Sequence, residues 1–372
     1  MSILSNSFDI SIISSAAPAW FTALGTNEVT QLTNTTIQAV EPTTAMKSAW
    51  PSGTLTKYVV EAWCGAAFDT TRTAMIIFGG GHGDYAGNEI YLLELNKATP
   101  TMTRITDPSP NVGDPGTGIG AYPDGLPGSS HSYDWPVYAP NTDELIRMTS
   151  STIYQNRTDG GDVIWRYNMA QADADKYQRA LNGWSRTGTL STAINGDNRG
   201  SVAYNSRDGL VYLLNSGTGD IGTYNPLTGA ITKLADVGTL GTYVVGDISP
   251  DWSTNGFYAA QSTTGFWVID LSNGVVGTPG FTSPGFDRDP FTYDPVNNAF
   301  WSWSGGNTLF RYDVPANPLT DTWNRTSVAT NGVALPASPQ GNGTYGRMRY
   351  IPGFHGLALV NDWAVNAYAV RL

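Results

Sequence analysis

Charge, cysteine and histidine are scarce in this sequence, and long apolar runs are missing from it. Cys64 is the only cysteine, so the chain has no intramolecular disulfide framework. Residues 1–20 lack a basic start followed by a continuous apolar stretch, and no run approaches the roughly 20 apolar residues that span a bilayer. We therefore predict no secretory signal peptide and no membrane insertion, and expect the protein in the cytoplasm or released by an unconventional route.

Acidic residues outnumber basic ones among the 14% of residues that are charged. The formal net charge is −11 and the isoelectric point lies near 4.6. A surface of this sign repels the phosphates of nucleic acids and of anionic membranes. We therefore expect no nucleic-acid partner.

Glycine and large aromatic residues are abundant, with 42 Gly, 19 Tyr and 12 Trp, which is typical of many short strands joined by turns. One pattern recurs six times: a marker residue, an aromatic residue five positions later, a polar turn and a second apolar run. The pairs are Trp63/Phe68, Tyr133/Tyr138, Arg199/Tyr204, Asp247/Trp252, Arg288/Tyr293 and Tyr345/Tyr350. Such self-similarity predicts an all-β fold, a β-propeller with six blades rather than seven.

The two ends of the chain are predicted to meet in the last blade. We divide the chain into an N-terminal arm, residues 1–18, and a single propeller domain, residues 19–372. The sixth blade stops at residues 367–372, which match a third strand, and an unpaired third strand would leave an exposed edge. Residues 20–24 resemble the fourth strands that begin at Trp184 and Trp323. We therefore predict that residues 20–24 supply the missing strand and close the ring.

A glycine doublet closes an apolar run in two blades. Gly79-Gly80 is followed by an aromatic residue in the next strand, and Trp303-Ser304-Gly305-Gly306 is followed by Phe310 and Tyr312. This arrangement resembles the kelch motif. The resemblance implies a kelch-type, galactose-oxidase-like β-propeller.

Copper radical oxidases belong to the same resemblance, because Cys64 and Tyr133 fall close to where that family places its cross-linked cysteine and tyrosine. The family also needs a second tyrosine followed by histidine, and a further histidine. Here Tyr345 is followed by Gly346, and the late His355 is predicted in a turn on the opposite face. These residues offer too few nitrogen ligands for Cu(II). We predict no copper centre, no metal-ligand cluster and no cofactor. An Asp-rich turn at residues 195–198 could hold Ca²⁺, although such turns are more often simply solvated.

The six marker residues are predicted to ring one mouth of the central channel. Strands within a blade are antiparallel, so the start of each first strand shares a face with the loop between the second and third strands. The predicted ligand-binding residues are Trp63, His82, Tyr133, Arg199, Asp247, Arg288 and Tyr345. Guanidinium, carboxylate, phenol and indole groups together suit a saccharide, which presents hydroxyls and a flat apolar face. Alternatively, these residues merely fill the channel mouth.

An enzymatic alternative rests on His82, His131, Tyr133 and Arg199 as catalytic residues, with Arg288 beside them. Propeller polysaccharide lyases use histidine, tyrosine and arginine to neutralise a uronate and remove a proton. A histidine or tyrosine beside arginine can supply a base poised near neutral pH. The sequence therefore leaves open a lyase or hydrolase that acts on an acidic polysaccharide.

A non-enzymatic recognition or structural role is the preferred interpretation. The Ser/Thr/Asn/Gly-rich surface, the N-terminal arm and the long loop at residues 106–130 resemble a bacteriophage virion protein of the tail, the receptor-binding apparatus or the capsid surface. The expected partners are a glycan or other virion subunits, with a homo-oligomer as a further option. Long connections border the second blade, so the ligand is expected nearer blades one to three. One short helix is predicted at residues 169–181.

Overall fold

A computed structural model describes residues 16–50, 55–81, 83–112, 120–148, 152–153, 157–158, 163–170, 183–189, 194, 200–238, 240–241, 243–263, 265–281 and 288–372. Six small antiparallel sheets surround a central channel, which confirms the predicted six-bladed β-propeller. His82, Arg199, residues 1–15 of the predicted arm and most of the predicted helix at residues 169–181 lie outside the described residues.

The strands of each blade follow one another outward from the channel. Strand β1 (Glu28–Gln31) comes first in the chain and belongs to blade six. Blade one holds β2 (Ala66–Asp69), β3 (Ala74–Ile77), β4 (Tyr91–Glu94) and β5 (Thr101–Arg104). Blade two holds β6 (Pro136–Ala139), β7 (Glu144–Met148), β10 (Val163–Asn168) and β11 (Trp184–Thr189), with an added hairpin of β8 (Thr152–Ile153) and β9 (Arg157–Thr158).

Blades three to six repeat this order. Blade three holds β12 (Ser201–Asn205), β13 (Leu210–Leu214), β14 (Asp220–Tyr224) and β15 (Ile231–Asp236). Blade four holds β16 (Val245–Ser249), β17 (Phe257–Ser262), β18 (Gly265–Asp270) and β19 (Val276–Gly277). Blade five holds β20 (Phe291–Asp294), β21 (Ala299–Trp303), β22 (Thr308–Asp313) and β23 (Arg325–Ala329). Blade six holds β25 (Met348–Ile351), β26 (Gly356–Leu359) and β27 (Tyr368–Arg371), continued by β1 and then by β24 (Asn331–Gly332).

Burial falls from the inner to the outer strands, and the sequence follows it. Strand β3 reads Ala-Met-Ile-Ile and is buried throughout, as expected for a strand covered on both faces by neighbouring blades. Strand β15 is an outer strand whose residues are half-buried or exposed, and it reads Ile-Thr-Lys-Leu-Ala-Asp. The strands near the channel are therefore apolar, and the strands at the outside mix apolar and polar residues.

Blade six is closed by an N-terminal strand, as predicted, but the identity of that strand was wrong. Strand β1 pairs antiparallel with β27, with Val29 opposite Val370. Residues 20–24 instead overlap helix α1 (Ala19–Thr22). Phe21 and Leu24 are spaced three positions apart, so they lie on one face of a helical turn, and both are buried. Arg371 Nη1 donates to the carbonyl oxygens of Thr22 and Leu24, which satisfies the end of the helix.

Helix α1 bridges the first and last blades. The ring of Phe21 packs 5.2 Å from that of Phe354 in blade six. Trp20 Nε1 donates a 3.0 Å hydrogen bond to the carbonyl oxygen of Lys97, in the turn between β4 and β5 of blade one. The remaining described helices are short: α2 (Tyr58–Glu61) and two 3₁₀ turns at Gln38–Val40 and Tyr345–Arg347. No helix in the described part of the chain is long and apolar enough to cross a bilayer.

Candidate functional site

The marker residues share an unusual backbone conformation at the upper face, which we define as the face where the innermost strands begin. Trp63, Tyr133, Arg288 and Tyr345 each precede an inner strand by three residues and have φ values of 49°, 41°, 69° and 46°. A positive φ is uncommon for residues other than glycine. Its recurrence shows that the propeller imposes one backbone path at the start of those inner strands for which this position is described.

Blade four corrects one predicted site residue. Asp247 lies within β16, opposite Ala259, and does not precede the strand. The equivalent of the other markers is Tyr243, with φ of 63°, and the position five residues later is Ile248. The pair Asp247/Trp252 was therefore four residues out of register, because Ile248 occupies a position that is aromatic in the other blades.

We call the residues that converge on the axis at this face the upper cluster: Trp63, His131, Tyr133, Tyr243, Arg288 and Tyr345. The rings of Tyr133 and Tyr345 lie 5.7 Å apart and those of Tyr133 and Tyr243 lie 6.0 Å apart. Arg288 Cζ stacks 4.3 Å above the centre of the Tyr243 ring. Tyr133 and Tyr345 are buried, whereas Trp63, Tyr243 and Arg288 keep partial exposure. The cluster thus has an aromatic floor and a mixed rim.

A chain of three polar groups runs through the cluster. His131 Nε2 lies 3.1 Å from Asp84 Oδ2, and His131 Nδ1 lies 3.2 Å from Tyr133 Oη. Trp63 covers the imidazole, with ring centres 4.6 Å apart. The side chain of Asp84 is 31% exposed, whereas that of His131 is 5% exposed. This arrangement can pass a proton between the buried phenol and the solvent.

Cys64 is one of the two residues that suggested a copper radical site. The thiol of Cys64 is buried and donates to the carbonyl oxygen of Ala62 at 2.9 Å, and burial raises its pKa to about 11. His355 lies in the turn between β25 and β26, on the face opposite the upper cluster as predicted, where its Nε2 is 2.9 Å from Asn297 Nδ2. Within the described ranges, no three side chains of His, Cys, Asp or Glu form a group that could hold a metal ion.

Comparisons with known proteins address the fold. No protein-family model matches the chain, and no curated protein matches it. A structural genomics protein of unknown function from Bacteroides thetaiotaomicron is similar, with a TM-score of 0.50 and 12% identity, covering 92% of this chain and 75% of that one. That likeness shows the fold alone.

Two other solved structures are less similar. TolB from Acinetobacter baumannii has a TM-score of 0.40 and 14% identity, covering 73% of this chain and 55% of TolB. A chain of the mitotic checkpoint complex has a TM-score of 0.45 and 10% identity, covering 90% of this chain and 97% of that chain.

The lower face, opposite the upper cluster, has an open cavity that sequence reasoning missed. Its volume is about 630 Å³, and all six blades contribute to its lining. The lining includes the residue before the end of each inner strand: Phe68, Tyr138, Tyr204, Ile248, Tyr293 and Tyr350. We call this space the lower cavity. Asp247 lines it, so this predicted site residue faces the mouth opposite to the one expected.

A buried polar network lies between the two mouths. Arg349 Nη2 donates to Asp134 Oδ1 at 2.7 Å, and the other oxygen of Asp134 accepts from Ser201 Oγ at 2.5 Å and from the Gly246 amide at 3.1 Å. Burial raises the pKa of Asp134 to about 6, and Arg349 opposes that shift. Burial also raises the pKa of Asp247. Four blades contribute to this network, which fixes the positions of its charges.

Proposed function

We propose that the protein is a non-enzymatic recognition module that binds a saccharide at the upper cluster. The observation that carries the proposal is the shared left-handed backbone of Trp63, Tyr133, Tyr243, Arg288 and Tyr345. Residues held in this region cost about 1–3 kcal/mol each and are concentrated at active sites and ligand clamps. We infer that this backbone strain is retained because it directs the five side chains to the axis of the channel.

The rim of the upper cluster has the chemistry that a sugar needs. Trp63 and Tyr243 offer partly exposed aromatic surface, and Arg288 and Asp84 offer donors and acceptors for hydroxyls. Trp63 Nε1 is buried without a hydrogen-bond partner among the described residues. A bound hydroxyl that reached this indole would satisfy it.

The test is a glycan array probed with the full chain, the Arg288→Ala variant and the Arg311→Ala variant. Arg311 lies on β22 of blade five and pairs with Asp313, so its removal deletes the same charge away from the axis. We expect Arg288→Ala to abolish binding and Arg311→Ala to preserve it. Equal binding by the two variants would reject the upper cluster as the saccharide site.

A polysaccharide lyase acting on an acidic polysaccharide is the second candidate, and the contact chain Asp84–His131–Tyr133 favours it. In this mechanism Arg288 neutralises the uronate carboxylate, and His131 and Asp84 take the phenolic proton of Tyr133. The ionised Tyr133 Oη then removes the proton on the carbon beside the carboxylate, the C–O bond at the next carbon breaks to leave a double bond, and Tyr133 returns the proton to the leaving oxygen. Formation of the unsaturated product is followed by ultraviolet absorbance. Activity that is lost in Tyr133→Phe and retained in Tyr368→Phe would establish this function in place of pure recognition.

We further propose a place in a bacteriophage virion for this kelch-like propeller, at the tail, the receptor-binding apparatus or the capsid surface. The Ser/Thr/Asn/Gly-rich composition supports it. Part of the long loop at residues 106–130 packs onto blade one, where Tyr122 is buried and donates to the carbonyl oxygen of Ala86 at 2.6 Å. The described part of this loop, residues 106–112 and 120–130, offers a fixed surface to a neighbouring subunit. Peptides of this chain in purified phage particles, found by mass spectrometry, would support the assignment, and their absence would oppose it.

A further inference from the structure

The lower cavity has one apolar side and one polar side. One residue before the cavity-lining position of Phe68, Tyr138 and Tyr204, the inner strands of blades one to three carry Ala67, Val137 and Ala203. At the same position, blades four to six carry Asp247, Thr292 and Arg349. A ligand in this cavity therefore meets small apolar groups on one side and fixed polar groups on the other.

The polar side presents a donor that is held in place. Arg349 is 8% exposed, its Nε donates to the carbonyl oxygen of Ala66 at 3.2 Å, and its Nη2 donates to Asp134 at 2.7 Å. Its Nη1 makes no hydrogen bond to any described residue, yet it is not enclosed by protein. Since Arg349 lines the cavity, Nη1 is available to a ligand there.

The acceptor beside it is fixed equally well. Asp247 Oδ1 accepts from the Ile248 amide at 2.8 Å, and Oδ2 accepts from the Tyr293 amide at 2.9 Å and from Thr292 Oγ1 at 3.2 Å. A carboxylate offers about four lone-pair positions. Asp247 therefore keeps room for one further donor from the cavity.

Charge decides what kind of group fits. Two carboxyl groups, those of Asp134 and Asp247, lie beside the single guanidinium of Arg349, so an anionic ligand group finds no unpaired positive charge here. A neutral group that accepts from Arg349 and donates to Asp247 meets both requirements, and neighbouring hydroxyls do so. The aromatic and small apolar walls then suit the apolar face of a sugar ring.

We propose that the lower cavity binds the end of a neutral saccharide, with hydroxyls between Arg349 and Asp247 and the ring against the walls of blades one to three. A cavity of about 630 Å³ lies within the range of small-molecule sites. This site is on the face opposite the upper cluster, so it stands or fails independently of the function proposed above.

The experiment is saturation-transfer difference NMR on the full chain with Arg288→Ala, which disables the upper cluster, and every variant below carries this change as well. The ligands are the methyl α-glycosides of glucose, galactose and mannose, with methyl glucuronide as the charged comparison. A double variant, Thr70→Trp with Ser206→Trp, narrows the mouth from blades one and three. Leu227→Trp adds the same ring on the same face, at a residue that is 69% exposed and outside the cavity lining. Asp247→Asn removes the charge of the acceptor with little change in shape.

We expect at least one neutral glycoside to bind. The affinity for the glucuronide, derived from the same NMR signal, should be about tenfold weaker than that for the neutral glycoside. Binding should be lost in the double variant and at least about tenfold weaker in Asp247→Asn, and it should be unchanged in Leu227→Trp. If the double variant fails to fold, as judged by its thermal transition, Asp247→Asn decides the question. The proposal is overturned if no neutral glycoside binds to the Arg288→Ala chain at about 10 mM, or if the folded double variant or Asp247→Asn binds as well as that chain.

Discussion

Replacement of Phe21 by alanine should destabilise the whole propeller, although Phe21 lies outside every blade. Its side chain is 1% exposed and covers Gly356, where a Cβ atom would lie 2.5 Å from Phe21 Cζ. Removal of a buried phenylalanine leaves a cavity and costs about 3–5 kcal/mol. That is a large share of the roughly 5–15 kcal/mol that stabilises a typical domain. The measurement is urea unfolding followed by circular dichroism.

Two further variants make this prediction specific to the docking of helix α1. Thr22→Ala changes an exposed residue of the same helix, so its effect should stay within about 0.5 kcal/mol. Phe354→Ala removes the ring that Phe21 contacts, and the double variant should cost about 1 kcal/mol less than the sum of the single variants. A loss below about 1 kcal/mol in Phe21→Ala would refute the reasoning, because it would mean that α1 does not clasp the first and last blades.

Three further outcomes follow from buried groups near the axis. Because burial raises the pKa of Asp134 from 3.8 to about 6, the folded state holds a proton that the unfolded chain has released, so stability from this group should increase as pH falls from about 6 to 4. Urea unfolding across this range should show a flatter profile in Asp134→Asn, and equal profiles would contradict the assignment. The Cys64 thiol, buried and with its pKa raised to about 11, should resist a thiol reagent in the native protein and react in denaturant; stoichiometric native labelling would be the opposite result. Gly65→Ala would place a Cβ atom 1.9 Å from the carbonyl oxygen of Tyr133 and should cost about 3 kcal/mol in urea unfolding, whereas Gly83→Ala, with open space around it, should not.

The fold could be predicted because the repeating residues lie at positions where the backbone follows the same path in each blade for which the position is described. The offset of five positions between a marker and an aromatic residue spans an inner strand from its left-handed start to its buried end, as at Trp63/Phe68 and Arg288/Tyr293. That distance is set by the height of the channel, so it recurs. The rule failed in blade four because it required an aromatic residue, and Ile248 fills that position with an aliphatic one.

The closing strand was misplaced for a related reason. Strand β1 reads Glu-Val-Thr-Gln and has one buried residue, Val29, so it carries almost no apolar signal. Residues 20–24 are more apolar, but their buried residues follow a helical spacing. Hydrophobicity alone favoured the wrong segment, and the period of burial would have separated the two.

Most of the upper cluster could be predicted from the sequence, but the lower cavity could not. His131, Tyr133, Arg288 and Tyr345 were singled out because the antiparallel blades bring strand starts to one face. Tyr243 could have been found by allowing an aliphatic partner five residues later. The lower cavity left no such signal, because its existence depends on how far the six blades stand from the axis.

The pairing of Val29 with Val370 has a consequence for synthesis of the chain. These residues are 341 positions apart, the difference of 370 and 29, so the ring cannot close until nearly the whole sequence has left the ribosome. At about 5–20 residues per second, β1 waits roughly 20–70 s for its partner strand while the arc of blades is synthesised. During that interval β1 has no strand to pair with, and the side of blade one that will face blade six has no neighbouring blade. The apolar sides of those blades are the surfaces a chaperone would meet, and ring closure is the step that withdraws them.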